Sequence, residues 1–147
     1  MVSIKVIKYG SSEYLAEVEL RSKVLREPLG RTFTEDELEQ DIGDTHIAAL
    51  SDDGMIGCLV LKPQSSTTVK MRQVAVDPSQ QGKGIGRMLV AYGETVAKAA
   101  GFQEIVLNAR ESVIPFYLSL GYETVGERFE EVGIPHFKMR RDISKEL

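Results

Sequence analysis

Val74-Ala75-Val76-Asp77-Pro78-Ser79-Gln80-Gln81-Gly82-Lys83-Gly84-Ile85-Gly86-Arg87-Met88-Leu89 reads as a strand, a glycine turn and the start of a helix. Gly82, Gly84 and Gly86 stand at alternate positions. That spacing lets the backbone come close to a ligand and aim several N–H groups at one point, beside the positive end of the helix that begins there. Such a turn suits a pyrophosphate. A tight turn alone would need one glycine.

The rest of the chain arranges itself around this turn. Upstream, residues 3–8 alternate Ile4 and Val6 with polar partners in the period of a strand, and residues 11–13 offer an N-cap before a helix over 14–26. That helix places Leu15, Val18, Val24 and Leu25 near helical spacing and stops at Glu27-Pro28-Leu29-Gly30. Thr34 with Glu37 three residues on forms a capping-box pattern, so a short second helix runs to about Gln40. Residues 45–50 and 55–62 form a hairpin around Ser51-Asp52-Asp53-Gly54. Residues 67–76 then form the strand that enters the glycine turn, with Asp77-Pro78 ending it. Downstream come a helix over 84–100 closed by Gly101, a buried strand over 103–108, a helix over 112–120 ended by Gly121, and strands over 122–126 and 136–141. The order β-α-α-β-β-β-α-β-α-β-β predicts an α/β (α+β) fold, one mixed sheet flanked by helices in a single domain over 1–147.

Composition narrows the function. With 147 residues the chain fits one core, and 42% apolar with 27% charged residues is ordinary globular usage. A net charge of −4 gives no basic footprint for nucleic acid. Cys58, the single cysteine, sits in an apolar run and reads as core, which leaves no disulfide and no cysteine metal site. Lys5 and Lys8 interrupt the N-terminal apolar residues, and nowhere do about 18 apolar residues run together. The expected setting is cytoplasmic, without a membrane, nucleic-acid or metal partner.

Spacing decides among phosphate ligands. A P-loop would need Ser or Thr after Lys83, and a dinucleotide fingerprint would need glycine where Arg87 stands. Gln81-Gly82-Lys83-Gly84-Ile85-Gly86 instead fits Q/R-x-x-G-x-G/A, and Val106-Leu107-Asn108-Ala109-Arg110 followed by Phe116-Tyr117-Leu118-Ser119-Leu120-Gly121-Tyr122 supplies a second element in order. Together these resemble the GNAT superfamily of N-acetyltransferases.

The resemblance implies acetyl-CoA as co-substrate. The turn Gln81, Gly82, Lys83, Gly84, Ile85, Gly86 and Arg87 would grip the pyrophosphate, and Val74, Ala75 and Val76 with Gln73 would pair with the pantetheine arm. Asn108 would hydrogen-bond that arm, and Tyr117 would stand near the thioester sulfur. The leaving thiolate, with a pKa near a cysteine's roughly 8.5, can take a proton from a phenol of about 10.

The C-terminal half also resembles the glyphosate N-acetyltransferase group, through Asn108-Ala109-Arg110, Gly126-Glu127-Arg128-Phe129 and Pro135-His136-Phe137-Lys138-Met139. That resemblance implies His136 as base and Arg26, Arg72 and Arg110 as a clamp for an acceptor's acidic group, since guanidinium pairs bidentately with oxyanions. The loop after Arg26 matches that group poorly, so the acceptor stays open. The expected partner is a small-molecule amine, with a homodimer left open. A peptide N-terminus or lysine is the alternative acceptor, and a non-catalytic acyl-CoA sensor the alternative outside catalysis. His46 and the acidic segment 35–41 read as structural or solvated.

Overall fold

The computed structural model describes residues 1–144 and gives seven strands and four α-helices among them, in the expected order. These are β1 (Ser3–Ile7), α1 (Ser12–Arg21), α2 (Glu35–Glu39), β2 (Thr45–Ser51), β3 (Gly54–Pro63) and β4 (Thr68–Val76), then α3 (Ile85–Ala99), β5 (Glu104–Arg110), α4 (Ile114–Ser119), β6 (Glu123–Glu131) and β7 (Ile134–Asp142). The strands make one sheet in the order β1-β2-β3-β4-β5-β7-β6, antiparallel except for β4 beside β5.

Helix starts follow local chemistry. Ser11 caps α1 by accepting from the Tyr14 N–H, and Thr34 with Glu37 forms the complete capping box on α2. The amphipathic helix α3 buries Ile85, Leu89, Val90, Gly93 and Ala97. It lies close on β3 because Gly57 has no side chain: a Cβ there would sit 2.8 Å from Leu89 Cδ1.

Two features of the sheet build the site. First, β4 and β5 pair only over Thr68–Lys70 and Glu104–Val106, so their C-terminal halves diverge and leave a gap. Second, β4 carries a bulge. Cys58 and Val60 on β3 oppose Ala75 and Arg72, one extra residue on β4, and Gln73 takes φ 55 to accommodate it.

Three expectations change. Regular helix ends at Arg21 instead of residue 26, and a wide turn (Ser22–Arg26) and a tight one (Glu27–Leu29) carry the chain to Gly30 at φ 67. The buried face of α1 is Tyr14, Glu17, Leu20 and Arg21, while Leu15 is 65% exposed, so the apolar spacing pointed to the wrong stripe. The strand expected over 122–126 runs on to Glu131, because Gly126 (φ 75) forms a bulge and pairing resumes at Phe129↔His136. No helix among the described residues is long and apolar enough to cross a membrane.

Candidate active site

The gap between β4 and β5 opens into a cleft of about 1160 Å³. Its floor is the unpaired edge of β4 after Lys70, facing Leu107, Asn108 and Ala109 of β5. An unpaired strand edge offers alternating N–H and C=O groups to an extended ligand. Val74, Ala75 and Val76 lie along it.

At one end stands the glycine turn. Gly82 and Gly84 have φ 82 and 81, a region in which side chains are strained, and Gly84 is the N-cap of α3 with no side chain capping the helix. The first N–H groups of α3 are therefore left for a ligand, next to the positive end of a 15-residue helix. Gln81 braces the turn by donating to the Val76 carbonyl at 3.2 Å. Gln81, Gly82, Gly84, Ile85, Gly86 and Arg87 all line the cleft. Lys83 does not, and its ammonium is 3.4 Å from Gln80 Oε1.

Tyr117 of α4 reaches the same cleft from the far wall and is 6% exposed. Burial pushes its phenol up to about 12, so it stays protonated at neutral pH. Phe116 and Tyr122 hold its ring edge-on at 5.0 and 5.6 Å. His136 lies opposite Arg110 on β5 and Phe129 on β6, stacked on the latter at 5.7 Å. Its Nδ1 is 2.7 Å from the Ile134 carbonyl, an acceptor, so Nδ1 carries a proton and donates it. Nε2 is the remaining ring nitrogen, 3.5 Å from a Glu131 carboxylate oxygen.

The three arginines all line this cleft but are not equivalent. Arg26 is bound to Glu37 at 2.8 Å and lies over the Phe33 ring at 4.1 Å. Arg26 in turn holds the Glu37 carboxyl below the usual carboxylate range. Arg72 is 3.8 Å from the carboxylate of Asp44, whose side chain is buried, too long for a hydrogen bond. Arg110 has no ion pair with a described residue.

Behind the β4 bulge lies a buried polar network that sequence reading missed. Arg21 donates to Asp41 at 2.8 Å and approaches Glu17 at 3.4 Å, and Tyr14 donates to Asp41 at 2.8 Å. His46 places Nδ1 3.0 Å from Glu17 and Nε2 3.0 Å from the Asp41 carbonyl. Both nitrogens face acceptors, so the doubly protonated ring satisfies both. Burial opposes that charge, but Glu17 and the Asp41 carbonyl outweigh it and raise the His46 pKa. Burial likewise works against the Asp41 carboxylate, and the Arg21 and Tyr14 donors overcome it, lowering its pKa. With the His46 ring charged, two cations face two carboxylates inside the protein. Arg21 Nε lies 3.4 Å from the Gln73 side chain, which joins the network to the β4 bulge. The Glu17–Arg21 spacing looks like a solvated helix pair, and only a histidine inside an apolar strand signalled otherwise.

Comparison with known proteins agrees with this geometry. Residues 15–143 match the Acetyltransferase (GNAT) domain family. A UPF0039 protein of Schizosaccharomyces pombe is 33% identical over 85 residues, 56% of this chain and 57% of that one. The chain spans little more than half the length of the first two curated relatives it matches. An acyl-CoA N-acyltransferase from Pseudomonas aeruginosa has the same fold, with TM-score 0.84 and 21% identity over 96% of this chain and 99% of that one. So does an aminoglycoside 6'-N-acetyltransferase solved with coenzyme A, with TM-score 0.82 and 18% identity over 99% of each chain.

Proposed function

This chain belongs to the GNAT acetyltransferase family, and we propose that it transfers acetyl from acetyl-CoA to the amine of a small molecule carrying an acidic group. The observation that carries this reading is the single cleft that begins at the uncapped N-terminus of α3 and ends at Tyr117, His136 and Arg110. Phosphates would take the free N–H groups at the turn and the pantetheine arm the open edge of β4, with Asn108 facing it.

The acetyl group would then lie near the β4 bulge, where the acceptor attacks directly in a ternary complex. His136 takes the amine's proton at Nε2. The nitrogen lone pair adds to the thioester carbon, the C–S bond breaks, Tyr117 gives its proton to the departing thiolate, and the second proton that the new amide nitrogen sheds passes to solvent, from which Tyr117 is reprotonated. The likeness to the glyphosate N-acetyltransferase group, together with Arg110 having no carboxylate partner among the described residues, supports an acidic group on the acceptor.

Released thiol measured across a panel of acidic, neutral and peptide amines tests the proposal. Faster turnover of acidic amines supports it. Turnover of peptides alone would move the assignment to a protein N-acetyltransferase, and no turnover with any amine would leave a coenzyme A sensor.

A further inference from the structure

Two carboxylates line the cleft, Glu37 and Glu131. Glu37 is committed: Arg26 holds one oxygen at 2.8 Å, and the Thr34 N–H is 3.4 Å from the other. Glu131 is half exposed, and its polar contact among the described residues is His136 Nε2 at 3.5 Å.

The hairpin fixes this pairing. β6 and β7 are joined by Val132 and Gly133 at φ 49 and 75, a two-residue turn of the type that matches strand twist. The turn sets Phe129 opposite His136 and Glu131 opposite Ile134. Because alternate residues of a strand share a face, Glu131 stands beside the ring that Phe129 stacks upon. Valine is a costly choice at a positive φ, and here Val132 lines the cleft next to Glu131.

His136 can act as the base only as a neutral ring, and with Nδ1 donating to Ile134 that form has its lone pair at Nε2. A lone pair and a carboxylate 3.5 Å apart are two acceptors facing one space. That arrangement calls for a donor carrying at least two protons and positive charge. We propose that Glu131 is the docking residue for the acceptor's ammonium group, holding one N–H while another points at His136 Nε2. This rests on the reading of the protein as an amine acetyltransferase. It adds that the enzyme takes its acceptor in the protonated form and deprotonates it in place. Arg110, directly across from His136 in the β5–β7 register, then lies where the acidic end of a zwitterion would go.

Two probes with the same carboxylate separate charge from shape: para-(aminomethyl)benzoate, an ammonium at neutral pH, and para-aminobenzoate, a neutral aniline. Their dissociation constants are measured by calorimetry on the protein saturated with coenzyme A, for the parent, Glu131→Gln and Glu131→Asp. Glu131→Gln should weaken the ammonium probe about tenfold and leave the aniline within about twofold, with Glu131→Asp between. The carboxylate is half exposed, so the variants keep the fold, which an unchanged affinity for coenzyme A verifies. Equal effects on both probes, or no effect on either, would overturn the docking role while leaving the acetyltransferase reading intact. If neither probe binds the parent, the acid-bearing acceptor and the docking role fall together.

Discussion

The two ends of the cleft are built from different materials. At the end proposed for the coenzyme the groups on offer belong to the backbone: the N–H groups of α3, the turn at Gly82 and Gly84, and the open edge of β4. At the end proposed for the acceptor they are side chains from β4, β5, α4, β6, β7 and the irregular turns after α1, with a buried ionic network behind them. A backbone site needs only residues that permit its conformation, and these are adjacent in sequence. A side-chain site depends on which residues packing brings together.

The contrast predicts failures of different size. Gly84→Val puts a β-branched residue at φ 81 and displaces the N–H cradle. Acetyl-CoA binding should be lost, and calorimetry that finds parental affinity would remove the turn from the site. Tyr117→Phe removes one proton from the acceptor end. Here kcat should fall about 10²-fold, with acetyl-CoA affinity unchanged. Arg110→Ala should raise KM for an acidic amine about tenfold or more and leave KM for acetyl-CoA alone. A rise in both constants would mean that the two ends are not separable.

The buried network gives a smaller effect, read in stability. The His46 pKa is raised above its ordinary 6.5, so its contribution is fully present below about 6.5 and is lost as pH rises through the folded value. Asp41 acts in the opposite sense: its carboxyl is lowered, so its contribution is lost as pH falls through that depressed value. Urea titrations should therefore give a stability that declines on the alkaline side of about pH 6.5. Replacing His46 with Gln should lower stability at pH 6 and flatten that decline. An unchanged slope would mean that the ring carries no charge in the network.

The same division explains what could be read in advance. The order of elements along the chain, the four helices and the glycine turn follow from periodicity, caps and φ-permissive residues, all local signals. Glu131 was invisible because Gly126 looked like a strand end, whereas the bulge lets β6 continue and carries Glu131 to His136. Glu37 was read as part of a solvated acidic face, and only the packed turns after Arg21 show it bound to Arg26. Glu17, Arg21, Asp41 and His46 lie on three separate segments, and no periodicity announces that their charges cancel. Three arginines sharing one cleft could be named from resemblance, but their different partners could not.

The central claim is that one cleft joins a backbone site for acetyl-CoA to a side-chain site for an acid-bearing amine. Thiol release with an amino acid and with its amide, at saturating acetyl-CoA, tests it most directly in the parent and in Arg110→Ala. In the parent, kcat/KM should favour the acid by about tenfold or more, and the variant should lose most of that preference. Equal rates for acid and amide in the parent would contradict it.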